Sequence, residues 1–84
     1  MPYEVFILRS AQKALADLPE RDYQRVCRAI RALRDNPRPP GSKKLTGREG
    51  WRLRIGAYRV IYEIDDAQRR VTILAIGHRR DIYR

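Results

Sequence analysis

Trp51-Arg52-Leu53-Arg54-Ile55-Gly56-Ala57-Tyr58-Arg59-Val60-Ile61-Tyr62 is the stretch that decides how this chain folds. On either side of Gly56-Ala57, basic and apolar residues alternate with the period of a β-strand, and Gly56-Ala57 itself suits a tight turn. Alternation places Arg52 and Arg54 on one face and Leu53 and Ile55 on the other. In the second strand Tyr58, Val60 and Tyr62 share one side, with Arg59, Ile61 and Glu63 opposite. Antiparallel pairing across the turn brings Arg54 and Arg59 together. Like charges side by side cost a sheet stability unless an anion or a carboxylate resolves them. A bound phosphate is one resolution; neutralisation by Glu63, Asp65 and Asp81 is the other.

Downstream, Asp65-Asp66-Ala67-Gln68 turns the chain, and Arg70 to Ile76 reads as the third, mostly apolar strand of a meander. Upstream, Tyr3 to Leu8 is a short β-rich run. Ser10 reads as the N-cap of a helix carrying Ala11, Ala14, Leu15 and Leu18 at helical spacing. Pro19 interrupts that pattern, and Glu20 with Asp22 supplies first-turn acids for a second helix. Tyr23, Val26, Cys27, Ile30 and Leu33 form its apolar stripe, while Arg21, Gln24, Arg25, Arg28 and Arg31 lie on the wet side. Residues 36–50, rich in Pro and Gly, read as an irregular connection. The expected fold is α+β, with two N-terminal helices packed on one face of a small, mainly antiparallel sheet, in the order β-α-α-β-β-β. Residues 1–84 are expected to form a single domain, leaving the other sheet face to carry function.

The length, 84 residues, permits one core and no enclosed cofactor cavity, since a chain this short buries only about 60–65% of its unfolded surface. Its formal charge is +9, and sixteen of its nineteen basic residues are arginine. Arginine grips phosphate through a planar fork and stacks on bases, whereas lysine is a mobile point charge. RNA or DNA is therefore the expected partner class, with an acidic masking protein or a merely solvated surface as alternatives. Cys27 is the single cysteine, which fits a reducing, cytoplasmic setting and a buried helical thiol. No signal-peptide layout and no membrane-spanning apolar stretch is present, so no membrane partner is expected.

Candidate chemistry concentrates in the arginines. His78, after Gly77 and before Arg79-Arg80, is a candidate acid or base near neutral pH, or simply a loop residue. One histidine and one cysteine do not make a metal site, and no dinucleotide or Gly-rich phosphate signature occurs, so no cofactor is expected. RNA cleavage needs neither, because the substrate's 2′-hydroxyl can attack the adjacent phosphorus once it is positioned and the crowded phosphate is stabilised. Arg52, Arg54, Arg59 and Arg79 with Tyr83 suit that scheme. Lys43, Lys44, Arg48 and Arg80 are candidate contacts to an RNA backbone, or a solvated loop in the case of the lysines.

Several segments resemble the RelE/ParE toxin superfamily: Tyr3-Glu4-Val5, the Leu18-Pro19 break, Lys44-Leu45-Thr46-Gly47, and Trp51 to Gly56. Tyr58-Arg59-Val60-Ile61-Tyr62 and Gly77-His78-Arg79-Arg80-Asp81-Ile82-Tyr83 are the most specific pieces, and the resemblance runs in order along nearly the whole chain. It implies a toxin of a type II toxin–antitoxin pair, neutralised by a cognate antitoxin that wraps it. The RelE branch cuts mRNA in the ribosomal A site by 2′-hydroxyl attack, leaving a 2′,3′-cyclic phosphate; the ParE branch inhibits DNA gyrase. A basic RNA-binding module without catalysis is the third possibility. By position, Arg52 and Arg54 match two basic strand residues of the RelE site, Arg54 standing at the general base. Arg59 matches the arginine on the scissile phosphate, Arg79 the one that helps protonate the leaving group, and Tyr83 the base-stacking tyrosine, at a shorter spacing from Arg79. The family's two lysines are arginines here, and arginine is a poor base. Either Arg54 orients and another group such as His78 takes the proton, or cleavage rests on electrostatics, with ribosomal RNA groups completing the site.

Overall fold

The computed structural model describes residues 2–82. They form β1 (Glu4–Ile7), α1 (Arg9–Ala16), α2 (Glu20–Ala32), β2 (Ser42–Lys44), β3 (Trp51–Ile55), β4 (Tyr58–Asp65) and β5 (Arg70–His78). One sheet holds all five strands in the order β1-β5-β4-β3-β2; β1 runs parallel to β5 and every other neighbour is antiparallel. The α+β architecture is the expected one, with β2 added inside what reads as an irregular connection. None of the described helices is long and apolar enough to cross a membrane.

The helices cover one face of this sheet. Ala11 and Leu15 of α1, Val26 and Ile30 of α2, and Leu33 just beyond it are buried against Leu53, Val60, Tyr62, Val71, Ile73 and Ile76. The first helix starts earlier than its sequence suggests. Leu8, not Ser10, is the N-cap, because its backbone N–H still donates to the Ile73 carbonyl and ties the chain to the sheet until the helix begins. Gln12 then donates its side-chain amide to the Ile7 carbonyl at 2.7 Å. Pro19 precedes α2, and Glu20 with Asp22 occupies its first turn, where carboxylates oppose the positive end of the helix.

Two irregularities decide which way side chains face. β3 and β4 meet through Gly56-Ala57, where only Gly56 has a positive φ, +59°, the pattern of a II′ hairpin turn. Between β4 and β5 the pairs Ile61–Ala75 and Tyr62–Ile73 leave Leu74 unmatched. That single extra residue is a β-bulge, and it inverts the alternation of β5. Val71 and Ile73 face the helices before it; Ile76 does so after it.

Tyr62 is fully buried, and its hydroxyl donates to the Pro37 carbonyl at 2.7 Å, anchoring the segment that leads into β2. Outside the core, Arg38 grips Asp66 with two nitrogens, the shorter contact 2.8 Å, and Tyr3 donates its hydroxyl to the same carboxylate. Arg38 also lies over the Trp51 ring, 5.2 Å from its centroid. Hydrogen bonds from Arg38 and then Tyr3 hold the Asp66 carboxyl below its usual range.

Tyr62→Phe keeps the ring but strands the Pro37 carbonyl, and should cost about 1–3 kcal/mol in urea unfolding with an unchanged slope. Tyr58→Phe, whose hydroxyl sits a long 3.4 Å from Asp22, should cost clearly less. A carboxyl with a depressed folded-state pKa stabilises above its unfolded value and ceases to do so as pH falls through the folded one. Asp66→Asn should therefore lower Tm at pH 7, with the gap to the native protein closing as pH drops below about 4.

Candidate nucleic-acid interface

The sheet face without helices carries the cations. β2 supplies Lys43, directly opposite Arg52 of β3, and Arg52 in turn faces Ile61 of β4. One step along, Arg54 faces Arg59, and Arg59 faces Gly77 of β5. Lys43, Arg52, Arg54 and Arg59 line a common cleft of about 370 Å³ with Gly41 and Ser42. Ile61 also lies on this face, paired with Arg52, yet it is buried and does not line the cleft. Gly41 takes a φ of +94° and its carbonyl accepts from the Arg54 N–H, so the cleft wall extends one residue before β2.

Among the described residues, none of these four cations is paired with a carboxylate. The one ion pair among the described residues is Arg38–Asp66, on the far side of Trp51. Glu63 and Asp65 line a separate hollow with Glu49, Asp66 and Arg70, and Asp81 lies in the exposed turn after β5. Neutralisation of Arg52, Arg54 and Arg59 by the chain's own acids is thus absent among the described residues. Two unit charges at 4 Å repel by roughly 4 kcal/mol in a surface environment, so clustering them is a standing cost that an anion would remove.

Arg59 is held in place. Its Nη1 donates to the Gly56 carbonyl at 2.9 Å and to the Tyr58 carbonyl at 2.8 Å, which fastens the guanidinium to the β3–β4 turn. Arg79 is brought to the same end of the sheet: its backbone N–H donates to the Ala57 carbonyl at 2.8 Å, and its side chain is exposed. Ile82 folds back over Gly77, where an added Cβ would lie 3.5 Å from its side chain. Neither Gly77 nor Ile82 stands out in the sequence, because only the β5 register reveals that they flank Arg59.

His78 does not join this group. The Leu74 bulge turns it toward the helices, opposite Tyr58, whose ring it meets edge-on with centroids 5.8 Å apart. Burial, then the Asp22 carboxylate of α2, pushes the Tyr58 hydroxyl up, so it stays protonated. His78 Nδ1 accepts the Arg80 backbone N–H at 3.2 Å, so the imidazole shapes the turn that carries Arg79 and Arg80. This inverted alternation sets His78 across the sheet from the arginines, the arrangement that suits the non-catalytic alternative. Lys44 likewise points away, 5.9 Å from the Trp51 ring, while Arg48 and Arg80 are exposed and outside the cleft. Tyr83 lies outside the described residues.

Chemically, three guanidiniums and an ammonium around one cleft suit a phosphodiester. Known proteins share both the sequence and the shape. A family model described as the ParE toxin of type II toxin–antitoxin systems matches residues 5–83. The toxin RelG of Mycobacterium tuberculosis is 38% identical over 88 residues, covering 100% of this chain and 99% of that protein. Among solved structures, the toxin–antitoxin complex RelBE2 of the same organism matches with a TM-score of 0.83 at 32% identity, over 94% of this chain and 100% of that one. The archaeal RelE–RelB complex from Pyrococcus horikoshii matches with a TM-score of 0.85 at 32% identity, over 96% and 99% of the two chains. A family model spanning almost every residue, and relatives matched from end to end in sequence and in strand order, leave one assignment: the chain belongs to the RelE/ParE toxin superfamily, on its RelE-like branch.

Proposed function

We propose that this protein is an endoribonuclease toxin that cleaves mRNA in the ribosomal A site, held in check by a cognate antitoxin. The observation that carries this reading is the gathering of Lys43, Arg52, Arg54 and Arg59 on one cleft, with no carboxylate among the described residues to quench them. In the reaction, the 2′-oxygen attacks the adjacent phosphorus in line, the P–O5′ bond breaks, and the products are a 2′,3′-cyclic phosphate and a 5′-hydroxyl. Arg59, immobilised by two backbone carbonyls, meets the scissile phosphate and stabilises the charge that builds on its oxygens. Arg52 and Arg54 clamp and orient the phosphodiester. Arg79, fastened at the same end, assists the departing 5′-oxygen, and Tyr83 stacks on a base.

The ribosome would supply the positioning of a flexible strand that a group of cations does not supply by itself. The RelBE2 and Pyrococcus horikoshii relatives were solved with antitoxins, which supports an antitoxin partner here. An acidic or apolar antitoxin segment over the arginine face would silence it. The ParE-type reading, inhibition of DNA gyrase, is favoured by the description of the matching family model.

Mapping cut sites on ribosome-bound mRNA by primer extension should show breaks within the A-site codon and none on the same RNA free in solution. Intact transcripts alongside growth arrest, with gyrase-dependent DNA breaks, would instead establish the ParE-type activity. Arg59→Ala should slow cleavage by ~10²–10³-fold, the usual loss for one donor to a developing oxyanion. Arg28→Ala, exposed on α2 beyond the helix-covered face, should stay within about 3-fold. Equal losses in two equally folded variants would refute the assigned face. Arg52→Ala should also flatten the salt dependence of RNA binding by about 0.7 in the log–log slope, one phosphate's share on a single strand.

A further inference from the structure

We propose that Lys43 is the proton acceptor of the cleft, its side-chain nitrogen taking the proton from the attacking 2′-hydroxyl. The inference rests on the nuclease reading above and supplies the one group that reading lacks. Arginine remains protonated above about pH 12, so Arg52, Arg54 and Arg59 can donate to phosphate oxygens but do not accept the proton. His78 is on the other side of the sheet, against Tyr58. The carboxylates of Glu49, Glu63, Asp65 and Asp66 belong to a separate hollow, and the Ser42 hydroxyl is committed to the Pro39 carbonyl at 2.6 Å. Among the described residues that line the cleft, Lys43 alone carries a side chain able to shuttle a proton.

Its position is set by backbone pairing. β2 exists only because residues 42–44 hydrogen-bond to β3, and that register puts Lys43, not Lys44, on the arginine face opposite Arg52. Adjacent strands stand about 4.8 Å apart, and a lysine side chain spans more than that distance. A phosphate clamped by Arg52, Arg54 and Arg59 therefore presents its neighbouring ribose to Lys43 from the next strand. The bonds balance as follows. The O2′–H proton moves to the Lys43 nitrogen, O2′ bonds to phosphorus, and the P–O5′ bond breaks. Water supplies the proton that O5′ acquires, and the Lys43 ammonium later returns its proton to water.

Single-turnover cleavage of ribosome-bound mRNA, followed from pH 6 to pH 9, tests this with the full-length toxin. Binding to ribosomes whose A-site codon carries a 2′-deoxy substitution is measured in parallel. Lys43→Arg keeps the charge but not the base. It should bind within about 3-fold of the native toxin while its cleavage rate falls by ~10²–10⁴-fold and loses its rise with pH. Lys43→Gln should lose rate similarly. Cleavage by Lys43→Arg within about 5-fold of native, or a slower rate with the native pH profile, would overturn the proposal and leave Lys43 a phosphate contact. Failure of the native toxin to cut at all would instead overturn the nuclease reading itself, and this inference with it.

Discussion

Two short helices can cover only one side of a five-stranded sheet, and that one-sidedness governs the rest of the molecule. Most apolar residues of β3, β4 and β5 lie on the covered side, among them Leu53, Val60, Tyr62, Val71, Ile73 and Ile76, against Val26, Ile30 and Leu33. In β3 and β4 alternation then delivers what lies between them to the bare side. Those intervening residues include Arg52, Arg54 and Arg59, with Ile61 a buried exception. The same pairing that closes the core therefore assembles the cationic cleft, and neither can be repositioned without the other. A one-residue slip in β3 would bury guanidiniums and expose Leu53.

The cleft is a place where local stability has been given up. Cross-strand like charges at Arg54–Arg59 and Lys43–Arg52 oppose the sheet that holds them. What offsets them lies elsewhere: the buried Tyr62 hydroxyl on the Pro37 carbonyl, and the cluster of Arg38, Asp66, Tyr3 and Trp51 that binds the loop before β2 to the β4–β5 turn. Four of the ten acidic residues, Glu49, Glu63, Asp65 and Asp66, line another hollow, and no described carboxylate lines the cleft. This separation of charge is what distinguishes a surface prepared for a polyanion from one that is merely basic.

Much of this was legible from the residues because alternation is a strong local signal. Residues 51–62 announce a hairpin, its two faces and the Arg54–Arg59 pair, and the structure bears out each. The helix stripes were similarly readable, although Ser10 misled, since the sheet's hold on Leu8 outweighs a capping preference. β2 escaped notice for a physical reason: three residues, Ser and two Lys, are too few to show a period, and their pairing depends on a partner strand that begins only at Trp51. The side of the sheet that His78 takes was hidden for a related reason. A bulge is a property of two strands together, and nothing in Ile73-Leu74-Ala75 marks which residue the partner will skip. Distinguishing Lys43 from Lys44 likewise required a register that one strand alone does not contain.

The three-residue span of β2 also bears on how such a molecule survives in a crowded cell. Its outer side is a sheet margin, the kind of border onto which a stray extended peptide can stack, although the Ser42 N–H there is already taken by the Pro39 carbonyl. Brevity limits the footing to about one turn's length of backbone, and two ammonium-bearing residues beside Gly41 make that border unwelcoming to a second copy equally rich in arginine. The feature that completes the cleft thus doubles as a guard against self-association into fibrils.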